Sequence, residues 1–258
     1  MSARVITVAN HKGGVAKSTT VHNLGVALTL MDKSVLLIDL DPQMNLSQTL
    51  SLPNWDENRN LFYALAERKI PLSSLIQSTK TDRLDLISGT ELLRLADVEF
   101  FRKYDSARLL AKALTKAILE DYDVVLIDTP PALNILTVNA LTCSNYVIIP
   151  MRPDMYSLFG ISFLLDEINE IHAEVNSSLE ILGILITNFD RRTRVQRDVA
   201  EQIRNAFQSR MFRTEIGVNV AIQSAQANGK SILEYDSRLS GAKDYRALAE
   251  EVITRAAI

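Results

Sequence analysis

Lys12, Gly13, Gly14, Lys17, Ser18 and Thr19 crowd into one short stretch, Asn10-His11-Lys12-Gly13-Gly14-Val15-Ala16-Lys17-Ser18-Thr19-Thr20. Two cations, two residues without side chains and a run of hydroxyls suit the holding of a polyphosphate. Glycine lets backbone N–H groups approach an anion with nothing in the way. Lys17 stands where a phosphate-loop lysine reaches the β- and γ-phosphates, and Ser18 where a hydroxyl ligates Mg²⁺. Asp41 follows the aliphatic run 35–40, with Asp39 two residues before it, and Asp128 follows the run 124–127. A carboxylate after such a run is placed to hold Mg²⁺ directly or through a bound water. The plainer alternatives are a turn with a capping Ser-Thr-Thr and strand-end carboxylates that cap helices. The strict pattern G-x-x-x-x-G-K-[ST] fails twice, because His11 and Ala16 occupy its glycine positions.

These residues need a scaffold that brings strand ends together. Residues 5–9 read as a buried strand, 17–31 as a helix with Leu24, Ala27, Leu28 and Met31 at helical spacing, and 35–40 as a second strand. That is a βαβ unit with parallel strands buried on both faces. From Pro42 to about Asn60 the pattern is polar and irregular, with Pro53 breaking any helix. Short helices are expected over 61–68 and 72–77, and a strand over 84–88. One helix is expected over 106–120, and Cys143 lies in a helical pattern. Strands follow at 124–127, 146–149 and 181–187, helices at 161–171 and 193–207, a weak strand near 219–222 and a last helix over 242–255. Strands alternating with helices throughout predict one doubly wound α/β domain over 1–258, mostly parallel, with helices on both faces. Ligands of such sheets bind at the carboxyl ends of the strands, so Asp41 and Asp128 are expected to point toward the phosphate loop.

With 47% hydrophobic and 23% charged residues, the chain has ample material for a core. Its single cysteine excludes a disulfide framework or a cysteine-rich metal site within one chain. No leader-like or membrane-spanning apolar run appears, which points to a cytoplasmic protein. The net charge of −3 gives no global reason to expect nucleic acid, so any such binding rests on a local patch. Arg191, Arg192, Arg194, Arg197, Arg204, Arg210 and Arg213 supply one, in a stretch whose acids are Asp198 and Glu201. It reads either as a solvated helix face or as a sequence-neutral phosphate-backbone surface. Asn188, closing the run 181–187, reads either as a turn residue or as a reader of an adenine edge, since its amide offers both donor and acceptor.

What remains of the loop pattern, Lys-Gly-Gly-x-x-Lys-Ser headed by a second lysine, resembles the deviant Walker A motif of the ParA/MinD family of ATPases. The resemblance extends through Asp41-Pro42-Gln43 and Asp128-Thr129-Pro130-Pro131 to the tail 235–245, which looks like that of small ParA (Soj-type) proteins. It implies ATP or ADP and Mg²⁺ as cofactors, with Lys12, Gly13, Gly14, Val15, Ala16, Lys17, Ser18, Thr19 and Asn188 around the nucleotide. Ser18, Asp41 and Asp128 are then the metal side, and Asp41 resembles the switch aspartate that positions the attacking water. In the family Lys12 crosses to the partner's nucleotide, so ATP holds a homodimer together, and Asp154 falls where an interface acid occurs. Lys12, Lys17 and Asp41 are thus the residues expected to carry hydrolysis. Double-stranded DNA bound without sequence preference, a ParB-like activator and a nucleoid-associated location are the implied partners and place.

The chain departs from the family pattern at Ala16 for glycine, Gly217-Val218 where Pro-Arg is frequent, and Ala221 where a DNA-contacting arginine is frequent. With a first strand at about Val5, the resemblance is to the small form that lacks an N-terminal DNA-binding extension. A membrane-cycling relative would need a basic amphipathic C-terminal helix, and 250–258 is neither basic nor strongly apolar on one face. An iron–sulfur reductase of this fold would need two cluster cysteines, and a single one excludes it. A small-molecule ligase would show a tight second pocket beside the γ-phosphate.

Overall fold

β1 (Arg4–Val8) occupies an inner position of an eight-stranded sheet whose order is β3-β4-β2-β5-β1-β6-β7-β8. The other strands are β2 (Val35–Asp39), β3 (Ile76–Ser78), β4 (Leu84–Ile87), β5 (Val124–Asp128), β6 (Tyr146–Met151), β7 (Glu180–Phe189) and β8 (Met211–Gly217). All neighbours pair in parallel except β3 with β4. This computed structural model describes residues 2–50, 59–67, 70–154 and 157–258. Pro53 and Arg68, expected as a helix breaker and a helix end, lie outside the described residues.

Alternation along the inner strands distributes their side chains between two cores. Ile6, Val8, Leu37 and Leu126 face helix α1 (Lys17–Thr29) and the C-terminal helix Ser240–Ala256, whose Tyr245, Leu248 and Val252 are fully buried. Val5, Leu36, Ile38, Val125 and Ile127 face the opposite layer, where Leu61, Leu65, Leu110 and Leu136 pack. Helices Ser157–Glu174 and Arg194–Phe207 continue that layer over β6 and β7, through Leu164, Ile168, Val199 and Ile203. α1 is buried along nearly its whole length because sheet and C-terminal helix clasp it from both sides. Its approach to β2 is close: a Cβ at Gly25 would lie 3.0 Å from a Leu37 methyl.

Four expectations from sequence are corrected. Residues after Asp41 are not wholly irregular; Asn45–Leu50 is helical, with Leu46 and Leu50, four apart, buried on one side. The expected helix over 72–77 is a 3₁₀ turn, Leu72–Leu75, followed by the edge strand β3. The expected helix over 106–120 breaks at Leu114 (φ −73°, ψ 82°) into Leu109–Ala113 and Lys116–Asp121. Thr115 causes the break by capping the second segment, its hydroxyl accepting from Ile118 N–H at 3.5 Å. The weak strand near 219–222 is instead the start of a helix, Val220–Ala227. Asn219 caps it by accepting from Ala221 N–H at 2.9 Å, and the last strand lies earlier, at β8.

Candidate active site

The chain runs outward from β1 to β2 on one side, and β6 flanks β1 on the other, so the loop after β1 opens into the crevice at the carboxyl ends of the strands. Three anchors hold that loop. Asn10 donates to Pro150 O at 2.7 Å and accepts from Lys12 N–H at 2.9 Å. Thr187 on β7 donates to Val15 O at 3.0 Å, and Asn188 donates to Gly14 O at 3.4 Å. Val15 is buried beneath. Gly14 (φ +72°) and Ala16 (φ +65°) both take left-handed backbone, which folds successive N–H groups into an anion nest at the start of α1. A Cβ on Gly13 or Gly14 would meet nothing within 4 Å, so the space above the loop is open to a phosphate.

The two departures from the glycine template have different physical outcomes. His11 turns out of the crevice and packs on Gly160 of the helix Ser157–Glu174, where a Cβ would lie 2.9 Å from Nε2. Ala16 stays in the loop and bears a left-handed conformation that costs an L residue roughly 1–2 kcal/mol. Ala16→Gly is therefore expected to stabilise the fold by about 0.5–1 kcal/mol, after allowance for glycine's extra chain entropy. A urea midpoint raised at constant m-value is the expected reading, and a lowered midpoint would refute the strain.

Below the loop sits a buried charge cluster. Lys17 is 7% exposed, and its Nζ donates to Lys12 O at 3.3 Å. Burial holds its ammonium below the usual lysine range, while the carboxylates of Asp128 and Asp41 pull it back up. Asp128 ends β5 in register with Asp39 on β2 and Val8 on β1. It is fully buried, and among the described residues neither of its oxygens makes a hydrogen bond of ordinary geometry, although the Ser18 hydroxyl acts on it. Burial, then the charge of Asp39, pushes its carboxyl well above the usual carboxylate range, against the pull of Ser18 and Lys17. A buried carboxylate so placed beside a serine hydroxyl fits a hard cation.

Asp39 has a different use. Its Oδ1 accepts from Asp41 N–H at 3.0 Å and its Oδ2 from Ser47 N–H at 2.9 Å and Ser47 Oγ at 2.6 Å. Burial pushes its carboxyl up to about 6, with these donors opposing. Its lone pairs are spent on shaping the 41–47 turn, which presents Asp41 to the crevice. Asp41 is 5% exposed and joins Lys17, Ser18, Gly13 and Gly14 around a cleft of about 580 Å³.

A second cleft, of about 240 Å³, opens from the first between Asn188, Val218, Asn219, Val220 and Gln223. Asn188 takes left-handed backbone (φ +50°) within β7, at the register irregularity between Ile186 and Phe189, and it lines this cleft. Lys12 stands apart from both clefts. Its Nζ lies 2.7 and 2.6 Å from the two oxygens of Asp154 in the same chain, each side chain about one-third exposed. Of the seven clustered arginines, Arg191 and Arg204 pair with Glu215, Arg192 with Asp190 and Arg194 with Asp198. Arg197, Arg210 and Arg213 are exposed and have no ion pair among the described residues. Sequence reasoning quoted Gln43 only as part of the Asp41-Pro42-Gln43 segment and passed over Gln48 and Gln226; all three line the first cleft.

A family model described as an AAA domain matches residues 3–181. The sporulation initiation inhibitor protein Soj of Bacillus subtilis is 36% identical over 249 residues, 96% of this chain and 98% of that protein. The chromosome partitioning protein ParA of Caulobacter vibrioides is 36% identical over 254 residues, 98% of this chain and 94% of its own length. The chain belongs to the ParA/Soj family of partition ATPases. Among solved structures, this ParA/Soj-type chain is similar to cobyrinic acid a,c-diamide synthase from Mycobacterium smegmatis with a bound ATP analogue and magnesium. That likeness has a TM-score of 0.83 and 31% identity, over 96% of this chain and 93% of the synthase.

Proposed function

We propose that this chain is a partition ATPase that binds ATP·Mg²⁺ in the paired clefts, dimerises around it and carries DNA-bound cargo through a hydrolysis cycle. The observation that carries the reading is the buried Asp128, whose oxygens make no hydrogen bond of ordinary geometry among the described residues and on which Lys17 and Ser18 act, under a left-handed glycine loop. The loop N–H groups and Lys17 bind the polyphosphate, and Asn188 with the 218–220 segment binds the base. Ser18 and Asp128 hold the metal, with Asp41 beside them. Bound Mg²⁺ neutralises charge developing on the transferred phosphoryl group. Asp41 orients the attacking water at the cleft wall. Hydrolysis is slow in the isolated chain, because the water is fixed only when a dimer partner and a ParB-like activator complete the site.

Lys12 is the residue that makes dimerisation nucleotide-dependent. Exchange of its contact with Asp154 for a partner's phosphates supplies a second cation that only association brings, in the manner of an arginine finger. Arg197, Arg210 and Arg213 lead the DNA surface, since no acid among the described residues pairs with them. The chain acts in the cytoplasm on nucleoid DNA, as one domain over 1–258. No described helix is long and apolar enough to cross a membrane. The apolar face of the C-terminal helix is spent on the core, which leaves it no face for lying on a bilayer.

Co-sedimentation with unrelated DNA duplexes, with and without ATP·Mg²⁺ across a salt series, tests this reading. Binding is expected only with ATP and falls steeply with salt. Changing Arg197, Arg210 and Arg213 to alanine together is expected to flatten the log–log salt slope by about three per protomer. Normal ATP-driven dimerisation without any DNA binding would overturn the DNA part of the proposal.

A further inference from the structure

Gln226 belongs to no motif, and it stands where the two clefts join. Gly14, Ala16, Thr19 and Gln226 are the residues that line both cavities. The first three come from the phosphate loop and the first turn of α1. Gln226 comes from the opposite wall, near the end of the helix Val220–Ala227. Its Nε2 donates to Thr19 Oγ1 at 2.9 Å, and this contact joins elements 207 residues apart. The side chain is half-buried, and its Oε1 accepts no hydrogen bond among the described residues.

If one cleft takes a polyphosphate and the other a base, the sugar must lie where they meet, because it is the covalent link between them. A ribose presents hydroxyl donors there. An amide whose nitrogen is tied to Thr19 has its plane fixed and keeps an oxygen free to accept. We infer that Gln226 reads the ribose of the bound nucleotide: Oε1 accepts from a sugar hydroxyl while Nε2 remains on Thr19. This makes Gln226 a specificity-determining residue that favours ribonucleotides over deoxyribonucleotides. The inference rests on the nucleotide reading of the clefts. The competing role is a strut that ties the helix Val220–Ala227 to α1 and ignores the sugar.

The two roles separate in a calorimetric titration of the full chain with ATP, 2′-deoxy-ATP and 3′-deoxy-ATP in Mg²⁺. The natural chain is expected to bind ATP about tenfold more tightly than one of the deoxy analogues, the effect of one hydrogen bond of about 1.4 kcal/mol. Gln226→Met keeps the volume of the side chain and removes its acceptor. It is expected to lower ATP affinity about tenfold, to the level of that analogue, and to leave the analogue's affinity unchanged. Equal binding of all three nucleotides by the natural chain overturns the inference without any variant. So does a Met variant that loses all three alike, the signature of a strut. Failure of the natural chain to bind ATP at all is a different result, and it would overturn the nucleotide reading itself.

Discussion

Lys17→Ala is expected to lower the affinity for ATP·Mg²⁺ by at least about 100-fold. The buried ammonium is the counter-charge to Asp128 and Asp41, both of which act on its protonation. Removing one partner of a buried ionic group costs about 3–5 kcal/mol, because the remaining charge stays desolvated. Much of that cost is relieved in the free protein, since Asp128 is already pushed toward its protonated form by burial and Asp39. The relief disappears when a polyphosphate enters. A ligand with several negative charges then meets a cleft lined by Asp41, with Asp128 buried nearby, and no other lysine or arginine among its described lining residues. The expected loss of 100-fold or more corresponds to roughly 3 kcal/mol. Calorimetric titration at low salt measures it, with circular dichroism to establish that the variant is folded. A folded variant that binds ATP within tenfold of the natural chain would remove Lys17 from the site.

How far the molecule can be read from its sequence depends on the range over which each signal acts. The unit β1–loop–α1–β2 is legible because strand pattern, glycine pair and helix pattern all fall within about forty residues and agree. The strand-end acids are legible for the same reason, since a fully buried parallel strand shows as an unbroken aliphatic run. The break at Leu114 was hidden because a helical spacing of leucines runs through it, and one threonine cap outweighs that pattern. β8 was missed because Arg213, Thr214 and Glu215 interrupt its apolar residues, while Asn219 caps a helix that reads as strand-like Val-Ala-Ile. In the site, the sequence shows Asp39 two residues before Asp41 but could not show that Ser47 consumes Asp39. The pairing of Lys12 with Asp154 and of Gln226 with Thr19 bridges 142 and 207 residues. Such contacts leave no local trace, and only the fold reveals them.

Asp41→Ala is expected to slow ATP hydrolysis by 10²–10⁴-fold, the usual contribution of a positioned acid–base group, while ATP binding changes only a few-fold. The two effects separate because different atoms of the turn do different things. The backbone N–H of Asp41 is held by Asp39 Oδ1 at 3.0 Å, and its carbonyl accepts from Met44 N–H at 2.9 Å. Both bonds survive truncation of the side chain. The carboxylate itself makes one backbone contact, Oδ1 accepting from Gln43 N–H at 2.9 Å, so its loss loosens the turn without dismantling it. Lys17, Ser18 and Asp128 keep their places below the loop and, on the proposed reading, would still hold phosphate and metal. What is lost is the carboxylate at the cleft wall, to which the proposal gives the orientation of water. The variant should therefore accumulate as an ATP-bound dimer, seen as a persistent larger species in size-exclusion chromatography after ATP addition, with single-turnover hydrolysis measured alongside. Hydrolysis at the natural rate would strip Asp41 of that role. Loss of ATP binding would instead make it part of the phosphate and metal cradle. The geometry favours the first separation, because Asp128, and not Asp41, is the acid whose oxygens make no hydrogen bond of ordinary geometry among the described residues.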